Sequence, residues 1–198
     1  MCKINANSFK LTLVLLTSLS LLSGCAAVVV GGAAAGAVVA GHDRRTTGTM
    51  VEDKSIQLKA MQAINEAAGD DPNVHVAPVS YNNRVLLIGQ APSRQMRSDI
   101  VQNVKNIEKV KQVHNEILLT GPSTMLQRST DSWITTRIKS EMAVTKDFNF
   151  TRVKVTTENG IVYLMGIVRP QEEQIAVDIA RHVKGVKKVV KIFEYDRS

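Results

Sequence analysis

The chain has 198 residues, of which 44% are hydrophobic, and a formal net charge of +7 from 25 Lys and Arg against 18 Asp and Glu. Both Cys residues, Cys2 and Cys25, lie near the N-terminus, so the rest of the chain has no thiol pair and a disulfide-stabilised fold is excluded. The four His residues are scattered without metal-ligand spacing, and there is no phosphate-binding Gly loop or nucleophile motif. We therefore expect packed hydrophobic cores and no enzyme activity, metal or cofactor.

Residues 1–24 have the three parts of a secretory signal peptide. Lys3 and Lys10 supply the positive charge, and the apolar run over residues 11–22 is shorter than the roughly 20 residues that a membrane-spanning helix needs. Leu22-Ser23-Gly24-Cys25 ends this run and resembles the bacterial lipobox, the site at which a signal peptide is cut and a Cys is lipidated. A retained anchor helix and a plain secretory cut with an incidental Cys25 are the alternatives.

This resemblance implies that Cys25 becomes the mature N-terminus and carries fatty acyl chains such as palmitate. Ala26 follows, where lipoproteins kept at the inner membrane usually carry Asp, so the resemblance also implies the periplasmic face of the outer membrane. The small apolar segment Ala26–Gly41 is too short for a span, and its Gly residues disfavour a helix. We interpret residues 25–45 as the lipidated Cys and a flexible tether. Self-association through Gly32-x₃-Gly36 is the alternative.

The remainder is predicted to be two copies of one unit, a first unit over 46–120 and a second unit over 121–198. The clearest match relates Asn82-Asn83-x-Val85-x-Leu87-x-Gly89 in the first copy to Asn159-Gly160-x-Val162-x-Leu164-x-Gly166 in the second. Asp53-x₂-Ile56 likewise matches Asp131-x₂-Ile134. In the second helix of each unit, Ile100-x₃-Val104 is matched with Ile179-x₃-Val183.

Each unit is predicted to run helix, strand, strand, helix, strand. Ile134, Ile138 and Met142 are spaced as one apolar helix face, and Asp53 or Ser132 is a candidate cap for the first helix of its unit. Asn159-Gly160 is a strong hairpin signal, since both turn positions need positive φ. The predicted fold class is α+β: two tandem α-β-β-α-β units, each a three-stranded mixed sheet packed against two helices.

These patterns resemble the BON domain, with Val183-x-Gly185-Val186-x₂-Val189 as a further part of the match. In the first unit, Asn106-Ile107 replaces the expected Gly-Val. Two such domains behind a lipobox resemble the dual BON-domain lipoproteins of the Gram-negative outer membrane. The resemblance implies a role in envelope integrity and at the cell-division site. It also implies binding of anionic phospholipids, such as phosphatidylglycerol and cardiolipin, through the second domain.

The duplication separates residues that the fold requires from residues that one unit alone carries. Trp133 is the single Trp of the chain, and Ser55 takes its place in the first unit. A helical wheel places Trp133 on a face turned away from the apolar core face, where an indole suits a bilayer interface and an Arg can bind a phosphate. The predicted phospholipid-binding residues are Trp133, Arg137, Thr136, Ser140 and Val144, with long-range attraction from Lys139 and Arg128.

Other interpretations remain open from the sequence. Trp133 is also suited to cover a junction between the units, and Lys184, Lys187, Lys188 and Lys191 form either a solvated charge run or an extension of the lipid surface. The basic excess lies in the second unit, with thirteen Lys and Arg against nine Asp and Glu from residue 125 onward, but a periplasmic address argues against nucleic acid. The alternative function is a scaffold for outer-membrane assembly or peptidoglycan-remodelling proteins.

Overall fold

The structure is a computed structural model, and it describes residues 43–196. The predicted signal peptide, the lipidated Cys25 and the tether up to residue 42 lie outside the described residues. Between residues 43 and 196, no helix combines the length and the apolar composition that a membrane span requires.

Both units have the predicted order of elements. The first unit consists of α1 (Thr47–Ala68), β1 (His75–Tyr81), β2 (Arg84–Gln90), α2 (Arg94–Lys105) and β3 (Gln112–Leu118). The second unit consists of α3 (Met125–Val144), a 3₁₀ turn (Phe150–Arg152), β4 (Val153–Glu158), β5 (Ile161–Val168), α4 (Pro170–His182) and β6 (Lys188–Tyr195). The prediction of two tandem α-β-β-α-β units is confirmed.

Each unit has a mixed three-stranded sheet, in the order β1-β2-β3 or β4-β5-β6. The hairpin strands pair antiparallel and the last strand pairs parallel to the second, as a helical crossover requires. Gly89 and Gly166 occupy equivalent places opposite the first strand. A Cβ at Gly89 would lie 1.9 Å from the His75 carbonyl oxygen, and one at Gly166 would lie 2.4 Å from that of Arg152. The repeated glycine is therefore required by the close approach of the neighbouring backbone.

The two helices of each unit cover one face of its sheet. In the second unit, Ile134, Ile138 and Met142 of α3 are fully buried, as the periodicity predicts. Their packing partners from the sheet and from α4 are Val153, Val155, Val162, Leu164, Ala176 and Ala180. The first unit repeats this core with Ile56, Ala60, Ile64, Val85, Leu87, Ile100 and Val104.

The hydrogen bonds correct the predicted alignment of the second helices. The amide of Val110 donates to the Ile107 carbonyl, and in the second unit the amide of Val186 donates to that of Val183. Because these turns are equivalent, Ile107 corresponds to Val183. The match of Val104 with Val183 is therefore wrong: Ile100 and Val104 correspond to Ala176 and Ala180.

The same turn corrects the position assigned to Gly185-Val186 in the first unit. The residues there are Lys109-Val110, not Asn106-Ile107. Lys109 has φ 70° and Gly185 has φ 94°, which agrees with this alignment.

The first helix of each unit begins earlier than predicted. The hydroxyl of Thr46 accepts from the Thr49 amide at the start of α1, and Thr124 forms a reciprocal capping box with Gln127 at the start of α3. The predicted caps, Asp53 and Ser132, are therefore wrong. Both lie inside their helices, and α3 already begins at Met125.

Asp53 and Asp131 connect the first helix of each unit to its hairpin turn. The Asp131 carboxylate accepts from the amides of Asn159 and Gly160, each at 2.8 Å. Asp53 accepts from the turn amides of Asn82 and Asn83 at 2.8 and 2.9 Å and from a hydroxyl at 2.7 Å. All four turn residues have positive φ, so this tight turn leaves amides that need an acceptor.

The second faces of the two sheets pack against each other. Tyr81, Leu86 and Ile88 of the first unit form one buried cluster with Tyr163, Met165 and Ile192 of the second. Because helices cover the opposite face of each sheet, the order of layers is helices, sheet, sheet, helices. Polar contacts border the junction: Gln90 donates to Glu158 at 2.6 Å, and Lys154 donates to the Ser80 carbonyl at 3.2 Å.

Two consecutive arginines contact both units at the end of the segment assigned to the tether. Arg44 pairs with Glu172 at 2.5 Å and with Asp196 at 2.8 Å in the second unit. Arg45 pairs with Asp53 at 2.8 Å in the first unit, and its guanidinium carbon lies 3.8 Å from the centre of the Tyr81 ring. Both arginine side chains are largely buried, so Asp43 to Arg45 belong to the folded body. A fragment that begins at residue 43 keeps all three hydrophobic clusters, and we expect it to fold by itself.

Candidate functional site

The outer face of α3 carries the residues that the sequence predicts to bind lipid. Trp133 is 53% exposed and Val144 is 85% exposed, although both are large apolar side chains. Thr136, Arg137 and Ser140 are exposed on the same side of the helix, opposite the buried face. The structure thus brings these five residues together on one solvent-facing surface, which we call the α3 surface.

Arg137 already has a partner on this surface. Its Nε donates to Glu141 Oε1 at 2.7 Å, one helical turn along the chain, and the two side chains are 58% and 35% exposed. Exposed ion pairs of this spacing on a helix contribute only about 0.3–0.5 kcal/mol to the stability of the fold. A phosphate therefore competes with a weak ion pair for the guanidinium, and no buried network has to be broken.

Arg128 and Lys139 lie beside the α3 surface and are exposed. Arg128 also lines an open polar cavity of about 430 Å³ between α3 and the edge strand β4. Both cations face the side of α3 that leads to this strand, so they add positive charge next to Trp133 without belonging to the same row of residues. Their placement suits long-range attraction of an anionic surface better than a defined contact.

The sequence interpretation missed Met125 and Leu126, which are 80% and 78% exposed in the first turn of α3. Leu126 precedes Trp133 by two helical turns, so both lie on the same helix face. Leu126 was missed because Ser132 was taken as the cap of this helix, which places Leu126 before the helix start. The capping box Thr124-x₂-Gln127 was the signal that could have placed the helix start correctly.

The predicted alternative for Trp133, a role in covering the junction between the units, does not fit the structure. The junction is formed by the second faces of the sheets, whereas α3 covers the first face of its own sheet. Trp133 is absent from the buried cluster at the junction. Its exposed indole therefore does not pack in the junction between the two sheets.

The four lysines near the C-terminus do not act as one group. All are exposed, but Lys191 donates to Glu173 at 2.7 Å, and this hydrogen bond raises the pKa of the lysine. Lys187 lies instead at the turn before β6, beside the hairpin turn Asn159-Gly160 and the start of α3. There it lines a cavity that Leu126 also lines, so this lysine is adjacent to the apolar row of α3.

The first unit presents a different surface on its equivalent helix. Val51, Leu58 and Met61 of α1 are exposed apolar residues, but Ser55 occupies the place of Trp133. Glu52 next to this row pairs with Lys109 at 2.5 Å, and that hydrogen bond lowers the pKa of Glu52. The same fold therefore carries an indole on this helix in one copy only.

Comparisons with a family model and with known proteins point to the same family. The family model for the BON domain matches residues 52–121 and 130–197. Outer membrane lipoprotein DolP of Haemophilus influenzae is 42% identical over 182 residues, which cover 92% of this chain and 94% of that protein. A 21 kDa hemolysin of Actinobacillus pleuropneumoniae is 37% identical over 153 residues, covering 77% of this chain and 79% of that protein.

Among solved structures, CdsD, a structural protein of the type III secretion system of Chlamydia trachomatis, is 14% identical and has a TM-score of 0.31. The match covers 69% of this chain and 91% of that chain, and a TM-score this low supports no argument. The two matched domains and the identity to the Haemophilus lipoprotein carry the assignment. The chain belongs to the BON-domain family, as a dual BON-domain outer-membrane lipoprotein.

Proposed function

We propose that this lipoprotein is a non-enzymatic binder of anionic phospholipids on the periplasmic face of the outer membrane. The observation that carries the proposal is the α3 surface, where an exposed Trp133 stands between exposed Leu126 and Val144 and beside Arg137. A Trp ring prefers the region of the acyl carbonyls, apolar neighbours enter the outer acyl region, and a guanidinium can bind a phosphate with two hydrogen bonds.

Lipidation at Cys25 would give this surface a high effective concentration at the membrane. An acyl anchor holds the body near a bilayer of any composition, so the anchor alone gives no choice of lipid. A weak surface site then suffices to select anionic lipids, because the anchored protein already meets them at a high effective concentration. The excess of positive charge in the second unit has the sign that such selection requires.

The experiment measures vesicle binding by the soluble fragment 43–198. We expect Trp133→Glu to weaken binding to phosphatidylglycerol and cardiolipin vesicles at least tenfold, because it places a carboxylate where an indole would enter the interface. Leu58→Glu is the matched control, since it changes an exposed apolar residue on the equivalent helix of the first unit and should leave binding unchanged. Circular dichroism should be the same for all three proteins. Unchanged vesicle binding by the Trp133 variant would overturn the proposal.

The cellular part of the proposal is that lipid binding supports envelope integrity at the cell-division site. Anionic lipids are the physical link, since a surface with this charge would collect where such lipids are enriched. A fluorescent fusion of the full lipoprotein should be enriched at division sites, and Trp133→Glu should spread it evenly around the outer membrane. If the variant stays enriched while it no longer binds vesicles, the position in the cell depends on another interaction.

A further inference from the structure

A narrow groove opens beside the first turns of α3 in the second unit. It has a volume of about 190 Å³. Its lining includes the apolar Leu126 and Ile134, the small Thr130, Gly160 and Gly185, and the charged Asp131 and Lys187. The Asp131 carboxylate already accepts hydrogen bonds from the Asn159 and Gly160 amides. Leu126 is also part of the apolar row that contains Trp133, so the groove begins where the α3 surface ends.

Two glycines keep this groove open. Gly160 has φ 76°, and a Cβ there would lie 3.1 Å from both the Gly185 carbonyl oxygen and the Lys187 side chain. Gly185 has φ 94°, and a Cβ there would lie 3.2 Å from the Ile134 side chain. A side chain at either position would therefore crowd other residues that line the groove. Thr130 forms the opposite wall with a short side chain whose hydroxyl is bound to the Leu126 carbonyl.

The first unit has longer side chains at all three equivalent positions. Asn83 corresponds to Gly160, Lys109 to Gly185 and Glu52 to Thr130, according to the shared turn hydrogen bonds and the Asp53 and Asp131 contacts. Asn83 Nδ2 donates to Glu52 Oε2 at 2.7 Å, and Lys109 Nζ lies 2.5 Å from Glu52 Oε1.

These contacts place charged side chains at the first unit's counterpart of the groove without closing it. The counterpart is a cavity of about 320 Å³ whose walls include Glu52, Lys59, Glu108 and Lys109. Gly48 and Ile56 line it in the places that Leu126 and Ile134 take in the second unit. Both units therefore have an opening here, but the apolar Leu126 and the two glycines line it in the second unit only.

We propose that this groove receives one acyl chain of an anionic phospholipid whose headgroup lies on the α3 surface. The volume equals that of about six water molecules, which admits a short stretch of a single chain but not a whole lipid. Leu126 connects the groove to the surface that faces the membrane, and the exposed Lys187 stands at the rim, where it can meet a phosphate. The inference rests on the proposed lipid-binding function and assigns a second part to that site.

The test uses dihexanoyl phosphatidylglycerol below its micelle-forming concentration, so that no bilayer or micelle is present. In NMR spectra of fragment 43–198, the amide signals of Gly160 and Gly185 should shift and reach saturation, and the methyl group of the exposed Thr130 should show contacts with acyl protons. The equivalent amides of Asn83 and Lys109 should not move. Glycerol phosphate, which has a phosphate but no chain, should leave all four amides unchanged.

A filled-groove variant combines Thr130→Gln with Gly160→Asn, which lengthens the side chain at two of the three positions where the first unit has longer residues and leaves the charge unchanged. It should lose at least fivefold in affinity for the short-chain lipid. Ser132→Gln is the control, because Ser132 is exposed on the same helix, has the same kind of hydroxyl contact to the preceding turn and does not line the groove. Urea unfolding of each variant checks that the fold is retained.

The outcomes separate the groove from the proposed function. Vesicle binding that depends on Trp133, without shifts at Gly160 and Gly185 in the short-chain titration, would overturn the groove and leave the proposed function standing. Equal shifts with glycerol phosphate would show a headgroup site and also overturn it. Loss of vesicle binding in the unmodified fragment would remove the proposed function itself. Contacts at Thr130 in the wild type keep the inference testable even if the filled-groove variant fails to fold.

Discussion

Lys154 is a partly buried cation at the junction of the two sheets, and we predict that Lys154→Met stabilises the protein at neutral pH. Its ammonium donates to the Ser80 carbonyl at 3.2 Å, and the nearby Asp53, whose charge opposes the lowering of the lysine pKa, pairs with Arg45 instead. Burial, with a smaller contribution from the nearby cations Lys54 and Arg45, lowers its pKa from 10.5 to about 8. Met has a similar length and no charge, so it can fill the same space.

The size of the effect follows from the pKa. One pKa unit corresponds to about 1.4 kcal/mol, so the shift represents about 3 kcal/mol of unfavourable free energy for the charged form. The lost hydrogen bond offsets about 1 kcal/mol of this. We expect a net gain of about 2 kcal/mol in the free energy of unfolding at pH 6.5, which corresponds to a Tm increase of about 6 °C for a domain of this size.

The gain should depend on pH. The folded pKa lies below the unfolded value, so between pH 8 and 10.5 the unfolded chain binds a proton that the folded chain does not. The wild type is therefore stabilised as the pH rises through this window, and the advantage of Met should fall to nearly zero at pH 9.5.

Urea unfolding of fragment 43–198 at both pH values measures this difference. Lys146→Met, at an exposed loop lysine, is the control and should change stability at neither pH. A Lys154→Met variant that is less stable than the wild type at pH 6.5, or equally stabilised at both pH values, would refute the reasoning from desolvation.

Two further predictions test the parts of the fold that recur in both units. Asp131→Ala should lower the free energy of unfolding by about 2–4 kcal/mol, because the Asn159 and Gly160 amides lose their acceptor. A loss below about 1 kcal/mol in urea unfolding would contradict the role of Asp131 in holding the hairpin turn. Gly166→Ala should destabilise by more than about 2 kcal/mol, since its Cβ would meet the Arg152 carbonyl oxygen at 2.4 Å. Thermal unfolding measures this loss, with Gly121→Ala as the control because no atom lies within 4 Å of its added carbon. Equal Tm values for the two variants would contradict the claim that Gly166 is required by the nearby Arg152 backbone.

The α3 surface was largely predictable because it follows from helix geometry alone. Once Ile134, Ile138 and Met142 define the buried face, the direction of Trp133 and Arg137 is determined by the roughly 100° rotation per residue. The helix start was not predictable in the same way, because several Ser, Thr and Asp residues before Ile134 can each cap a helix. Asp53 was misleading as a predicted cap, since its carboxylate accepts a hydrogen bond from a turn that lies 29 residues later.

The alignment of the second helices shows where sequence periodicity is ambiguous. Ile175 and Ile179 are larger than Ala176 and Ala180, so they were the natural choice for the core face of α4. The structure buries the alanines fully and leaves the isoleucines partly buried against the same core. Adjacent residues differ by only about 100° around a helix, and size alone does not show which of them lies closest to the sheet.

The sequence by itself determined the two units, their order of elements and the outward position of Trp133, because these depend on local periodicity and turn chemistry. Only the tertiary structure decided that the sheets pack against each other, although the nearly continuous apolar strands β2 and β5 were consistent with burial on both faces. Only the tertiary structure showed that Gly160, Gly185 and Thr130, which lie on three separate segments, together line a groove whose counterpart in the first unit has Glu52 and Lys109 in its wall. Packing between distant segments depends on the complementary shapes of whole surfaces, and periodicity within one segment carries no information about it.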